Sequence, residues 1–199
     1  MGREADGGPL DVEDSLHAVV VVQDGDAGRL LQALRSQAHD PGIGAHRHRS
    51  HAPEELVADC IATVIYDPKR RALMLAHLGR HSTVARLMSR AVRYFVERGS
   101  QAKDLQIWMS PSITQKNYRM DYFNHTNDTN WQNFCRQTAD GIYLDMQGFN
   151  RSLAVQAGVP GDNIVISPID TADDPNYFSH SAGDTGGRFA VLAEIKSTK

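Results

Sequence analysis

Two short apolar runs separated by a turn, within residues 57–81, constrain the fold more than any other part of the sequence. Residues 61–66 are rich in β-branched and aromatic side chains, which favours a strand. The Asp-Pro-Lys-Arg sequence at 67–70 is typical of a turn, and residues 72–76 form a second strand-like run. These features predict a β-hairpin in which Cys60, at the start of the first strand, and His77, at the end of the second, lie at the same end of a sheet.

A thiolate beside an imidazole is suited to two kinds of chemistry. The pair can hold a zinc ion, or the cysteine can act as a nucleophile with the histidine as its base. The alternative is structural, because a cysteine in an apolar run is commonly a small buried hydrophobe and a histidine near a strand end is commonly a satisfied polar group. On residue types alone, both interpretations of Cys60 and His77 stay open.

Composition narrows the class of protein and its partners. A length of 199 residues suits one domain with a sizeable core. The net charge of -3 gives no electrostatic reason to expect nucleic acid or an anionic membrane as a partner. No apolar run approaches the length of a membrane span, and no charged-then-apolar leader opens the sequence. The two cysteines, Cys60 and Cys135, are too few for a disulfide framework, so a reducing cytoplasm is the expected compartment.

The sequence before the hairpin carries further histidines. Residues 1–14 predict a disordered lead-in, residues 16–23 a buried strand that contains His17, and residues 26–37 a helix. The loop that follows carries four histidines, which are His39, His46, His48 and His51. A histidine-rich tract can bind metal. We favour an exposed basic loop, because His46, His48 and His51 lack the fixed partners that a closed site needs.

The sequence after the hairpin alternates helices and strands. Amphipathic spacing from Val84 to Phe95 predicts a helix that ends at Gly99. The further predicted elements are a strand at 105–109, a surface loop centred on 124–130, a helix with Ile142, Met146, Phe149 and Leu153 on its apolar face, and strands at 163–167 and 189–195. Cys135 falls in a polar, helix-like stretch and is expected to be dispensable. This order predicts a mixed sheet with helices packed on it, in the α/β or α+β class.

Several segments together resemble the laccase-domain family, also called polyphenol-oxidase-like proteins. The matching residues around the hairpin are Ala58, Asp59, Cys60, Asp67, Pro68, His77 and Gly79. Later segments that are similar to family signatures are Ser-Pro-Ser-Ile at 110–113, Gly-Val-Pro at 158–160, Tyr-Phe-Ser at 177–179 and Thr-Gly-Gly-Arg at 185–188. The resemblance covers roughly residues 15–195 and rests on the order and spacing of these motifs together.

The resemblance implies a fold and a metal site. It implies a layered α/β/α domain around a mixed sheet, spanning residues 15–199. It also implies three zinc ligands, His17, Cys60 and His77, with a fourth position open for water. The choice between His17 and one of the loop histidines His46, His48 and His51 as the third ligand stays open. Copper is the less expected metal, because a multicopper oxidase needs several paired histidine clusters and this sequence has one His-x-His pair, at 46–48.

The resemblance also implies chemistry on purine nucleosides. Family members of this type cleave adenosine, inosine or guanosine with phosphate, and some deaminate adenosine. The expected ligands are therefore a small-molecule nucleoside and phosphate. Cys60 and His77 are the expected catalytic residues, and Arg80 and Arg188 are the expected substrate-binding residues.

The sequence departs from the family pattern near the hairpin. The family's Trp-Arg after His-x-Gly is Arg80-His81 here, and Ser82 replaces a glycine. The family's glycine-rich N-terminal segment, which ends in Asn-Arg, has no match. Two other functions therefore stay open: a cysteine hydrolase or deamidase with His77 as base, and a divergent member without catalytic activity. The sequence also leaves the choice of nucleoside and the oligomeric state open.

Overall fold

The described part of the chain follows the predicted alternation of strands and helices. The computed structural model describes residues 19–20, 44–45, 54–184 and 186–193. Its strands are β1 (Val19–Val20), β2 (Gly44–Ala45), β3 (Glu54–Val57), β4 (Ile61–Asp67), β5 (Ala72–Leu78), β6 (Gln106–Met109), β7 (Arg119–Met120), β8 (Cys135–Thr138), β9 (Gly141–Leu144), β10 (Ile164–Ile166) and β11 (Phe189–Leu192). Its α-helices are α1 (Arg80–Val84), α2 (Leu87–Glu97) and α3 (Met146–Gln156).

The predicted hairpin is confirmed and lies at the centre of the main sheet. β4 and β5 pair antiparallel along their whole length, from Ile61 opposite Leu78 to Asp67 opposite Ala72. The turn between them is held by the Asp67 side chain, whose carboxylate accepts hydrogen bonds from the backbone N–H groups of Lys69 and Arg70. Aspartate at this position therefore serves the turn rather than the site.

Three sheets make up the β structure of the described residues. The main sheet has the strand order β10-β6-β4-β5-β2, in which β10 and β6 are parallel and the other pairs are antiparallel. A second, antiparallel sheet has the order β1-β11-β3, and a third has the order β7-β9-β8. The mixed main sheet with its helices confirms the predicted α/β class.

The two faces of the hairpin pack against different partners. Side chains alternate along β4, so that Ile61 and Ile65 join the core formed with α2 and α3. Ala62 and Val64 point the other way, into a smaller core that includes Phe189 of β11. The second sheet therefore covers the face of the hairpin opposite the helices. This arrangement brings β3 against the face of β5 that carries His77.

The predicted helix over residues 84–95 begins earlier and is interrupted. α1 ends at Val84, and Arg86 adopts the left-handed conformation with a φ of 57° before α2 begins. The apolar face of α2 is as predicted, with Leu87, Met88, Ala91, Val92 and Phe95 buried. Because of this interruption, α1 and α2 are separate helices. α1 directly follows β5, and its residues Arg80, His81 and Ser82 line the cavity described below.

Gly99 ends this helical region as predicted, with a φ of +92°. We expect Gly99→Ala to destabilise the protein by about 1–2 kcal/mol, because an L side chain is strained in this conformation. Urea unfolding measures the change. Gly186→Ala is the control, because a methyl group there meets no atom of the described residues within 4 Å and the backbone has no positive φ. Equal stability of both variants would contradict the expectation.

The helix predicted from Ile142 onward starts later than its apolar spacing indicates. Ile142 belongs to strand β9, and α3 begins at Met146 after its N-cap residue Asp145. The Asp145 carboxylate accepts a hydrogen bond from the backbone N–H of Gly148 at 2.8 Å. An N-cap of this kind fixes the start of a helix more strongly than apolar spacing does.

The polar stretch at residues 116–133 contributes to a buried aromatic cluster that the sequence did not predict. Trp131 is 2% exposed and stacks on Phe149 of α3, with ring centroids 3.8 Å apart. Phe123 packs against the edge of the same indole. The helix-like prediction around Cys135 is wrong, because this residue opens strand β8, which pairs with β9.

Several predictions fall on residues outside the described part. These are the lead-in at 1–14, the helix at 26–37, the candidate ligand His17, and the loop histidines His39, His46, His48 and His51. Within the described ranges, no helix has the length and apolar character required to cross a membrane.

Candidate functional site

Cys60 and His77 meet at one end of the central hairpin. Ile61 pairs with Leu78 and Ala62 with His77, so the residue before β4 lies beside the end of β5. A methyl group placed on Gly79 would lie 3.0 Å from Cys60 Sγ and 3.6 Å from His77 Nε2. The two heteroatoms therefore converge over Gly79, as the hairpin predicts.

Glu55 holds the other side of the His77 ring. Its Oε2 lies 3.2 Å from His77 Nδ1, and it reaches there from β3 of the second sheet. This contact directs Nε2 of His77 toward Cys60 and the cavity. The hydrogen bond with Cys60, followed by the one with Glu55, raises the pKa of His77 to about 10, against the opposing effect of burial.

Ser82 fixes the backbone between the pair and α1. Its hydroxyl accepts a hydrogen bond from the Gly79 N–H and donates one to the His77 carbonyl, each at 2.9 Å. The serine that departs from the family pattern therefore has a local role. It holds the end of β5 so that His77 and Gly79 keep their positions under Cys60.

Asp59 fixes the Cys60 side of the pair. It is 8% exposed and has a φ of 72°, which is left-handed. Its carboxylate accepts hydrogen bonds from the Thr171 hydroxyl at 2.8 Å and from the Ser181 N–H at 2.7 Å. The turn that presents Cys60 is thus bonded to a loop more than a hundred residues later in the chain.

A cavity of about 740 Å³ opens above the pair. Its size lies within the range of small-molecule sites. Besides the hairpin end, it is lined by residues 80–82 of α1, residues 118–121 around β7, and His180. Its walls therefore come from segments that are far apart in the sequence, with Cys60 and His77 exposed to its interior.

Arg80 is the cationic group of this cavity that has no carboxylate partner among the described residues. It is half-buried, and its guanidinium lies 3.6 Å from Met120 Sδ. Arg119, in contrast, forms an ion pair with Asp121 at 2.9 Å. Tyr118 stands beside Arg80, and burial raises the pKa of its hydroxyl while the guanidinium opposes that rise. A half-buried arginine without a carboxylate is suited to an anionic ligand.

The second predicted arginine occupies a different place. The Arg188 guanidinium donates a hydrogen bond to the carbonyl of Gly187 at 2.5 Å. Within the described part of the chain, Arg188 is not among the residues that line the cavity. The structure therefore brings Arg80, but not Arg188, to Cys60 and His77.

Cys60 and His77 could hold a metal ion together. A thiolate and an imidazole nitrogen that face one space are zinc ligands, and a carboxylate on the far nitrogen of the histidine is the usual partner of such a ligand. No group of three or more His, Cys, Asp or Glu side chains suited to a metal occurs in residues 54–184 and 186–193. A third ligand would come from a histidine outside these ranges, for which His17 and the loop residues His46, His48 and His51 are the candidates.

Three residues of this site were missed in the sequence. Glu55 lies in a short strand, and strand alternation places it on the same face as the buried Val57. This alternation could have indicated from the sequence that Glu55 faces the interior. Tyr118 and His180 lie in loop-like segments without periodicity. Their place in the cavity follows from tertiary packing alone.

Neutralising Glu55 is expected to weaken metal binding. We expect Glu55→Gln to lower zinc affinity by about 10- to 100-fold, because the carboxylate orients His77 and increases its basicity as a ligand. Competition with a chromogenic chelator measures the change. Glu97→Gln is the matched control, since Glu97 forms an exposed ion pair with Arg93 on α2. Equal affinities of the two variants would show that Glu55 does not act on a metal ligand.

The fold and the site define an α/β protein with a cysteine–histidine pair at the end of a central hairpin, open to a cavity. The chain belongs to the family described as multi-copper polyphenol oxidoreductase laccase, whose model matches residues 18–196. This finding confirms the resemblance that the hairpin motifs indicated.

Similar proteins have names that refer to purine nucleosides. The chain is 28% identical over 146 residues to purine nucleoside phosphorylase YlmD of Bacillus subtilis, covering 69% of this chain and 52% of that protein. It is 31% identical over 121 residues to adenosine deaminase RL5 from an unknown prokaryotic organism, covering 55% and 44%. The chain thus spans about half the length of these curated relatives.

Solved structures share the fold. The hypothetical protein YfiH of Bacillus licheniformis matches with a TM-score of 0.65 at 28% identity, over 72% of this chain and 57% of that one. YlmD from Geobacillus stearothermophilus matches with a TM-score of 0.64 at 24% identity, over the same shares of the two chains. The first supports the family assignment, and the second supports the fold.

Proposed function

We propose that this protein is a zinc-dependent purine nucleoside enzyme that cleaves adenosine, inosine or guanosine with phosphate, with adenosine deamination as a second activity of the same site. The observation that carries the proposal is the convergence of Cys60 Sγ and His77 Nε2 at a cavity that also contains Arg80, for which the described residues supply no carboxylate partner. The relatives named purine nucleoside phosphorylase and adenosine deaminase supply the substrate class.

The proposed zinc ligands are Cys60, His77 and His17. Thiolate and imidazole ligands favour zinc, and three protein ligands leave one position for water or substrate. When bound, zinc supplies a Lewis acid and lowers the pKa of a coordinated water to about 7. Glu55 holds His77 in the orientation that leaves Nε2 available.

Arg80 is the proposed phosphate-binding residue. Its guanidinium can make two parallel hydrogen bonds to phosphate oxygens, and half-burial strengthens them relative to an exposed contact. Phosphate held there would attack C1′ of a ribose that lies in the cavity. Tyr118, whose raised pKa keeps its hydroxyl protonated, is placed to donate a hydrogen bond to the bound ligand.

The direct test is an assay of purified protein with inosine, adenosine and guanosine, each with and without phosphate. We expect phosphate-dependent release of free base and ribose 1-phosphate, and ammonia from adenosine if deamination also occurs. Zinc and copper contents are measured on the same sample. A related purine nucleoside phosphorylase assayed in parallel shows that the conditions support turnover, so that absence of turnover by this protein alone would contradict the proposal.

Arg80 gives the proposal a residue-level test. We expect Arg80→Met to raise the KM for phosphate by about 10- to 100-fold, because one charge-assisted contact to the anion is lost. Arg80→Lys should recover part of the loss, since it keeps the charge but not the paired geometry. Arg93→Met is the control, because Arg93 lies exposed on α2 and pairs with Glu97. An unchanged KM in Arg80→Met would remove Arg80 from the phosphate site.

A cysteine hydrolase or deamidase is the second candidate function. The observation that favours it is the order of contacts from Glu55 to His77 to Cys60, which is the arrangement of an orienting carboxylate, a base and a nucleophile. Iodoacetamide discriminates the two functions. A thiolate bound to zinc should react slowly until a chelator is added, whereas a cysteine nucleophile should react at once. A divergent member without activity would instead keep the fold and the metal but turn over no nucleoside.

A further inference from the structure

A third histidine side chain reaches the cavity from a separate part of the chain. His180 lines the same cavity as Cys60 and His77, and its side chain is exposed there. It follows the buried Ser179 in the loop between β10 and β11. It is not needed for the zinc ligand set proposed above. Its position therefore calls for a role of its own.

The backbone on both sides of His180 is fixed. The Ser181 N–H donates to the Asp59 carboxylate at 2.7 Å. The Ser179 N–H donates to the Asp184 carboxylate at 3.0 Å, and the Asp184 N–H returns a hydrogen bond to the Ser179 carbonyl at 2.9 Å. A rigid backbone that presents an exposed imidazole into a cavity is the arrangement expected of a residue that acts on a ligand.

The contacts that hold the His180 segment in place differ from the contacts of the two arginines that line the cavity. Arg80 contacts Met120, and Arg119 pairs with Asp121, so both guanidinium groups belong to the wall made by α1 and β7. His180 is tied to the Asp59–Cys60 turn instead. In an in-line displacement, phosphate and the departing base lie on opposite faces of C1′. Separate anchors for the cation and the imidazole are compatible with that requirement.

We infer that His180 donates the proton to the purine base as it departs, an inference that rests on the proposed phosphorolysis. A phosphate oxygen forms a bond to C1′ while the C1′–N9 bond breaks and its electron pair passes to the purine. The proton moves from the His180 imidazolium to N7, so the base leaves neutral. The neutral imidazole then regains its proton from solvent. Imidazole is suited to this step because it can give and take a proton near neutral pH.

The test compares two substrates that differ in their need for this proton. Inosine requires protonation of the base as it leaves, whereas 7-methylinosine already carries a methyl group and positive charge at N7. We expect His180→Gln to lower kcat for inosine with phosphate by about 10²- to 10⁴-fold. The same variant should cleave 7-methylinosine within about threefold of the wild-type rate. Such a split separates proton donation from loss of structure, which would slow both substrates.

Three results would overturn the inference: equal losses on both substrates, no loss on either, or the selective loss in His81→Gln rather than His180→Gln. His81 is measured because it lines the same cavity from α1. The wild-type protein separates this test from that of the proposed function. If the wild type cleaves neither substrate with phosphate, phosphorolysis itself is wrong. If it cleaves both and the variant shows no split, only the role of His180 is wrong.

Discussion

Cys60→Ala and His77→Ala should each reduce bound zinc from near one ion per chain to below about a tenth. Each substitution removes one of three proposed protein ligands, and the metal affinity of such a site depends on the complete set. The measurement is metal content by mass spectrometry after dialysis against a weak chelator. Phosphorolysis should fall below detection in both variants. Full zinc occupancy in both variants would show that the metal site is wrongly assigned.

Cys135→Ser is the matched control for these variants. Cys135 is half-buried at the start of β8, and burial raises the pKa of its thiol, which keeps it a neutral side chain. We expect this variant to keep its zinc. Circular dichroism of all three variants tests whether they retain their fold. Loss of zinc in Cys135→Ser would mean that the second cysteine takes part in metal binding.

Thermal stability gives an independent measure of the same site. A ligand that binds only the folded state raises Tm as its concentration rises above Kd. Added zinc should therefore raise the Tm of the wild type and of Cys135→Ser, and should leave that of Cys60→Ala unchanged. The comparison needs no substrate, so it distinguishes a metal-binding member without activity from a protein that binds no metal.

The interpretation as a metal site and the interpretation as a cysteine nucleophile both rely on Glu55, His77 and Cys60. In one, Glu55 orients a ligand, and in the other it orients a base. The contacts of His77 suit both, which is why the proposal is tested by metal content and by alkylation rather than by geometry. Arg80 has no carboxylate partner within the described ranges, and this adds weight to phosphate chemistry, since amide hydrolysis at Cys60 does not require an anion site in the cavity.

The central pair could be predicted because the interactions that create it are local. Strand propensity, an Asp-Pro turn and seventeen residues of separation bring Cys60 to His77 through hairpin pairing alone. Local sequence patterns also predicted the buried face of α2 and the end of the helical region at Gly99. Each of these features is encoded within about one helix or one hairpin of sequence.

The rest of the site depends on contacts between distant segments. Glu55 reaches His77 because the second sheet packs on the hairpin, and Asp59 reaches Ser181 across 122 residues. Apolar spacing also failed where strand and helix adjoin, since Ile142 continues the pattern of α3 but pairs in β9. Sequence patterns describe the faces of elements, and they carry little information about which elements will pack together.

Asp59 joins the turn before Cys60 to two residues more than a hundred positions later, so its removal should strongly lower stability. We expect Asp59→Ala to lower the free energy of unfolding by about 3–5 kcal/mol. Two hydrogen bonds to a buried carboxylate are lost, each contributing about 1.5–3 kcal/mol, and alanine is strained at a φ of 72°. Because whole domains are stable by only about 5–15 kcal/mol, much of the stability would be lost.

Asp59→Asn separates the contributions to this loss. Asparagine tolerates the left-handed conformation, and its carbonyl oxygen can still accept from the Thr171 hydroxyl. The NH₂ group that replaces the second carboxylate oxygen cannot accept a hydrogen bond from the Ser181 N–H, so the expected loss of unfolding free energy is about 1.5–3 kcal/mol. Urea unfolding measures both variants, with Thr171→Val reporting the other bond alone. If Asp59→Asn proved as unstable as Asp59→Ala, backbone strain and the Thr171 bond would contribute little. The contact between Ser181 and Asp59, which ties the loop that carries His180 to the turn that carries Cys60, would then be the main link between the two segments.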